Sequence, residues 1–171
     1  MNNNQFIFSD PAPYPSIEVC EKNRMYAKAM LANVGSCNSE MSAVSLYFYN
    51  CVITKHPFPE ISECFHKISI VEMHHLQIFS ELASLCGADP RLWSFYGGRA
   101  RYWSPGCNFY SAELSTLLRN AVSGEKKAIE QYRQQLNWIE DVHIRENLEH
   151  IVKDELCHVT IFESLYDQFC S

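Results

Sequence analysis

The sequence predicts an all-α protein, an up-down bundle of four helices arranged as two hairpins joined by a long crossover. Three observations predict it. Four long stretches are nearly free of Gly and Pro, the inward positions of each recur at alternating steps of four and three, and two short links flank one long one.

Residues 1–23 carry Pro11, Pro13 and Pro15 spaced by two, which no continuous helix tolerates. They read as an extended arm ahead of a bundle domain spanning 24–171. Helix A is expected over 24–54 and ends at His56-Pro57-Phe58-Pro59. Helix B, over 60–86, stops where Gly87 can take a left-handed cap and Pro90 forbids continuation. About 22 residues then carry Trp93, Phe95, Tyr96, Tyr102, Trp103 and Phe109, longer than a usual helix connection, so this segment crosses the bundle or lids a site. Packing over the bundle or at a subunit interface is favoured for its aromatic side chains. Helices C (110–138) and D (141–169) follow, separated by a short turn.

Composition bounds the function. With 171 residues, 47% hydrophobic and 20% charged, the chain is one ordinary globular domain. A formal charge of −6 excludes a general nucleic-acid binder, which needs a basic face. No run reaches the ~18 apolar residues of a membrane span, and Met1 to Asp10 has no export signal, so a cytoplasmic protein is expected. The eight cysteines could form a disulfide framework, a reading that weakens without an export signal. No two of them are separated by only two residues, which removes zinc-ribbon, rubredoxin-type and thioredoxin-like sites. Most are expected to act as small buried hydrophobes.

Four Glu-x-x-His matches occur: Glu63/His66, Glu72/His75, Glu140/His143 and Glu155/His158. The helical seams choose among them. In B the inward run is Ile61, Phe65, Ile68, Glu72, His75, Phe79, Leu82, Cys86, and in D it is Ile144, Leu148, Ile151, Glu155, His158, Phe162, Leu165, Phe169. Glu63 and His66 fall between the seam positions, and Glu140 and His143 straddle the C–D turn. The seam of A (Tyr26, Met30, Asn33, Cys37, Glu40, Val44, Tyr47, Cys51) and that of C (Leu118, Val122, Glu125, Ile129, Tyr132, Leu136) each hold one acid. Glu130 sits about 140° around the helix from Glu125 and faces outward. His74, one residue off its seam, belongs to the surface or behind the ligands rather than among them.

These residues expose an internal repeat. Glu40-x-x-Ala43-x-x-x-Tyr47 matches Glu125-x-x-Ala128-x-x-x-Tyr132, and a Glu-x-x-His follows each first Glu at 32 and 30 residues. Four inward carboxylates would repel one another and each would lose hydration, at several kcal/mol per ion. Two divalent cations balance Glu40, Glu72, Glu125 and Glu155, while neutral His75 and His158 each add a nitrogen ligand.

On the segments SEMSAVSLYFY, IVEMHHLQIF, GEKKAIEQY and KDELCHVTIF the chain resembles the ferritin-like superfamily, most closely its compact rubrerythrin-like members, with manganese catalases as nearer cousins outside that group. The resemblance implies two iron ions, or alternatively two manganese ions. Glu72 and Glu155 would bridge them, with Glu40 and His75 completing one site and Glu125 and His158 the other. Tyr47 matches a tyrosine lying behind the ligands of similar proteins, and Tyr132 holds the same place in the second half of the repeat. The implied activity is a di-iron oxidoreductase of peroxidase or ferroxidase type, acting on peroxide or dioxygen with an external electron donor, in a homodimer. A di-manganese catalase and a metal-free assembly or coat protein are the alternatives. Ala128 stands where peroxidase rubrerythrins carry a further carboxylate, and the fused rubredoxin module has no counterpart, so that cycle would need a separate donor.

Overall fold

A computed structural model of the chain describes residues 6–170, so the first five residues of the expected arm, and Ser171 at the end of the expected bundle domain, lie outside the described residues. Among the described residues five α-helices carry the fold: α1 Arg24–Gly35, α2 Glu40–Thr54, α3 Pro59–Leu85, α4 Leu114–Leu136 and α5 Val142–Cys170. Helices α2 and α3 pack as one hairpin and α4 and α5 as the other. This is the ferritin-like bundle, and its first helix is split.

Helix A, expected as one piece, breaks at Ser36–Ser39. Two facts explain the break, one local and one not. Ser36 and Asn38 turn the chain on a side-chain hydrogen bond, Ser36 Oγ to the Asn38 carbonyl at 2.9 Å. At Gly35 a Cβ would lie 2.4 Å from the Trp93 backbone nitrogen, so the crossover chain passes where only glycine leaves room. The break puts Glu40 in the first turn of α2, after the extended Ser39. A helix N-terminus favours that acid.

Helix α3 holds its predicted seam without a slip, all eight residues from Ile61 to Cys86 being buried. Its first turn contains Pro59, whose missing N–H would have had no partner there. Helix α5 buries Ile144 through Leu165 on its seam, with Phe169 half-buried. Asp141 caps it, accepting from the amides of His143 and Ile144 at 3.1 and 3.2 Å. Helix α4 starts four residues later than expected, because the Glu113 carboxylate caps it through the amides of Ser115 and Thr116.

The core forms two apolar clusters. One contains Met30, Phe79, Leu82, Ile144, Leu148 and Ile151; the other contains Ile61, Phe65, Ile68, Leu118, Phe162 and Leu165. Each fully buried Leu, Ile or Phe contributes about 1.5–3 kcal/mol. Along the seams of α3 and α5 the ionisable layer falls between these clusters.

The crossover holds a small antiparallel hairpin, β1 Trp93–Tyr96 and β2 Arg99–Tyr102, which the sequence reading did not include. Gly97 and Gly98 turn it, both at positive φ. Strand β1 rests on α1, whereas β2 is exposed. Beyond it Trp103 Nε1 donates to Ser42 Oγ, Asn108 Nδ2 donates to Ser45 Oγ, and a Cys37–Cys107 disulfide ties the crossover to the break between α1 and α2. Among the remaining cysteines only Cys64 and Cys86 are buried, so burial does not account for most of the eight. Residues 6–22 contain no helix or strand and run against the bundle. Among the described residues no helix is long and apolar enough to cross a membrane.

Candidate metal centre

The six inward residues meet in one buried layer. Helix α2 supplies Glu40, α3 supplies Glu72 and His75, α4 supplies Glu125, and α5 supplies Glu155 and His158; all are at most 2% exposed. Their ligand atoms form two overlapping groups, Glu40/Glu72/His75/Glu155 and Glu72/Glu125/Glu155/His158, with the atoms of each group within 4.8 Å of one another. Glu72 and Glu155 belong to both groups. Each of the other four belongs to one, so the layer has the form of two adjacent sites sharing two carboxylates.

Both histidines turn Nδ1 inward. His75 Nδ1 lies 3.2 Å from Glu72 Oε2 and 3.2 Å from Glu155 Oε1. His158 Nδ1 lies 2.9 Å from Glu72 Oε1 and 3.0 Å from Glu155 Oε2. The tyrosines cross the bundle: Tyr47 on α2 donates to Glu125 on α4, and Tyr132 on α4 donates to Glu40 on α2. Tyr47 therefore serves the opposite acid and not Glu40, its neighbour two turns away. Glu63, His66, Glu130 and Glu140 are exposed, His143 is half-buried, and none of them joins the layer. His74 is exposed, its ring centroid 4.3 Å from that of Tyr14.

Burial, then repulsion from Glu72 and Glu155, pushes the carboxyls of Glu40 and Glu125 well above the usual range. Burial acts the same way on Glu72, but the nearby imidazoles of His158 and His75 outweigh it and hold Glu72 low. Both imidazoles are raised: burial opposes their charge, but the surrounding carboxylates that can accept from the rings outweigh it, Asp154, Glu155 and Glu72 at His75, and Glu72 and Glu155 at His158. Tyr47 and Tyr132 are held protonated by burial and then by the carboxylate each one faces.

The donor set fits two divalent cations. Glu72 Oε1 and Glu155 Oε1 are buried without a hydrogen bond of good geometry, although imidazole nitrogens lie close to both. A cation between them would use those lone pairs, and the site offers four carboxylates and two imidazoles with no thiol, the ligand chemistry of iron and manganese.

A cavity of about 220 Å³ opens between α2 and α4 and reaches this layer, lined by Glu40, Glu125, Tyr47, Tyr132 and Ala128. Cys37, Asn38, Cys107, Asn108 and Phe109 also line it. The aromatic crossover thus reaches the cavity through Phe109, while its tryptophans lie elsewhere.

The sequence reading missed the groups behind the histidines. His75 Nε2 meets Asp154 Oδ2 at 2.9 Å, and the same carboxylate accepts from Tyr14 Oη at 2.5 Å and from the Asp10 amide at 2.6 Å. His158 Nε2 meets the Phe8 carbonyl at 2.9 Å. Asp154 had a sequence signal, since it precedes Glu155 where the repeat has Val71 before Glu72. The arm contacts had none.

Fold and site together define a ferritin-like helical bundle built around a dinuclear metal carboxylate centre, an oxidoreductase scaffold. The chain matches the Rubrerythrin family over residues 34–166, most of its length, and belongs to that family. Among solved structures it is similar to the manganese catalase KatB from Anabaena, at 19% identity and a TM-score of 0.79 over 95% of this chain and 80% of that one. A second structure, of wild-type KatB, matches at 20% identity with the same TM-score and coverage. At such identities the likeness is one of fold. A search among curated proteins finds no match.

Proposed function

We propose that this protein is a dinuclear metal oxidoreductase, di-iron and of peroxidase or ferroxidase type, whose small oxidant is hydrogen peroxide or dioxygen and whose electrons come from an external donor. One observation carries the reading: four buried carboxylates and two inward imidazole nitrogens form two adjacent ligand groups that share Glu72 and Glu155. A homodimer in the cytoplasm is the setting we expect.

A bound pair of redox metals supplies electrons to an O–O bond and a Lewis-acidic place to hold it. The chain's own residues do the rest. The cavity admits a molecule the size of peroxide and ends on Glu40 and Glu125. Phe65, Phe79 and Phe162, fully buried in the two apolar clusters, help keep bulk water from the layer. The Tyr47 and Tyr132 hydroxyls orient the two terminal acids and keep a proton beside each. Reduction of peroxide to two waters consumes two electrons and two protons, and those hydroxyls stand where protons must pass.

A second reading, a di-manganese catalase, draws support from the fold shared with KatB and from Ala128, a small residue at the cavity where peroxidase members carry another carboxylate. Such an enzyme takes both electrons from a second peroxide and needs no donor.

The test is peroxide consumption by protein of measured metal content, with and without an added reductant. Donor-dependent loss of peroxide in iron-loaded protein supports the first reading, and donor-free oxygen evolution by manganese-loaded protein supports the second. If Glu72→Gln and Glu155→Gln left metal content and melting temperature unchanged, both readings would fall and a metal-free assembly role would stand.

A further inference from the structure

We infer that the two metal positions are not equivalent, and that Asp154, held by the N-terminal arm, is a positioning residue that makes the Glu40/His75 position the tighter one. The inference rests on the dinuclear reading above.

The internal repeat makes the argument sharp. The halves supply matching ligands, so a symmetric site would back both imidazoles alike. His75 Nε2 meets Asp154, the residue before Glu155. The matching residue before Glu72 is Val71, which offers His158 no acceptor. The Phe8 carbonyl takes that role, 150 residues away in the chain. One imidazole is therefore backed by a carboxylate and the other by a neutral carbonyl.

The difference has a chemical consequence. With Nδ1 on a cation, Nε2 must carry the proton and donate it outward. Donation to a carboxylate raises imidazole basicity and fixes the ring, an effect worth about 10–100-fold in metal affinity when such a partner is removed. Donation to a carbonyl does less. Asp154 is itself fixed, fully buried and accepting from Tyr14 Oη and the Asp10 amide as well as facing His75. Pro11, Pro13 and Pro15 stiffen the stretch that brings Asp10 and Tyr14 to it. The arm thus touches both sites and treats them differently.

Metal-free protein is loaded with one equivalent of Co(II), a probe that shifts the exchangeable N–H proton of each ligating imidazole far outside the normal proton spectrum. The inference predicts one dominant N–H signal in the wild type, carried by His75 and lost in Glu40→Gln but kept in Glu125→Gln. In Asp154→Asn the amide oxygen offers His75 a carbonyl like that of Phe8. The two signals should then approach equal intensity, with the first dissociation constant weakened by about 10–100-fold. Equal signals in the wild type, or an unchanged ratio in Asp154→Asn, would overturn the inference and leave the dinuclear reading standing. Failure to bind any cobalt would overturn both. The wild-type spectrum decides the matter even if Asp154→Asn does not fold.

Discussion

Metal uptake by this protein should expel protons, and their number follows from the site. In metal-free protein, burial and the charges of Glu72 and Glu155 oppose ionisation of Glu40 and Glu125 and favour their protonated forms. Neighbouring carboxylates outweigh burial at His75 and His158 and favour a second ring proton on each. Two acids and two imidazoles so biased would release up to four protons to two divalent cations. The product of the two dissociation constants should therefore fall by up to about four decades per pH unit near neutrality. Calorimetric titration of the metal-free protein in buffers of different ionisation enthalpy counts the protons directly. The sign for folding runs the opposite way. Groups raised in the folded state stabilise it most below their unfolded values, about 4.5 for the acids and 6.5 for the histidines, and lose that contribution as pH rises through the folded values. Glu72, held low, contributes above about 4.5 and loses that contribution only in acid. Metal-free protein should melt lower as pH rises from 6 to 8, and metal-loaded protein should gain over it in the same window. Uptake with no proton release, at an affinity independent of pH, would refute the charge balance.

Three further outcomes follow from the packing. Reducing the Cys37–Cys107 disulfide, which spans 70 residues, should lower stability by up to about 4 kcal/mol on a chain-entropy basis, read as a drop in melting temperature with reductant that Cys37→Ser does not show. Tyr132→Phe and Tyr47→Phe each deprive a buried acid of a donor and should cost about 1–3 kcal/mol in urea melts of the metal-free protein, with little change at exposed Tyr96→Phe. Phe162→Ala removes a ring packed 5.0 Å from Phe65 and 5.4 Å from Tyr47 and should cost about 3–5 kcal/mol in the same assay.

Helices α3 and α5 were legible because their seams are long, apolar and interrupted only by Glu and His, so period and chemistry could be read from one pattern. The break in helix A was not, for a physical reason: Asn33 and Glu40 lie seven residues apart and both are buried, so the inward period survives the interruption. The Ser36–Asn38 turn is local, but the crossover backbone that packs on Gly35 at the break comes from residues nearly sixty positions away. The hairpin in the crossover rests on Gly97 and Gly98, a signal present in the sequence but masked by the surrounding aromatics. Asp154 lies one helical step off its seam and is still fully buried, with its carboxylate against His75, a contact made across helices that the period of α5 alone does not record. The arm could be read as extended from its prolines. Its carbonyl and hydroxyl contacts depend on where the bundle lies, which no local pattern records.

Metal stoichiometry resolved by position is the most direct test. Anomalous scattering at the iron and manganese edges, collected from protein purified with its native metal, should place two ions per chain between Glu72 and Glu155, one beside His75 and the other beside His158. Anomalous density absent from that layer, with the four carboxylates still buried around it, would contradict the account.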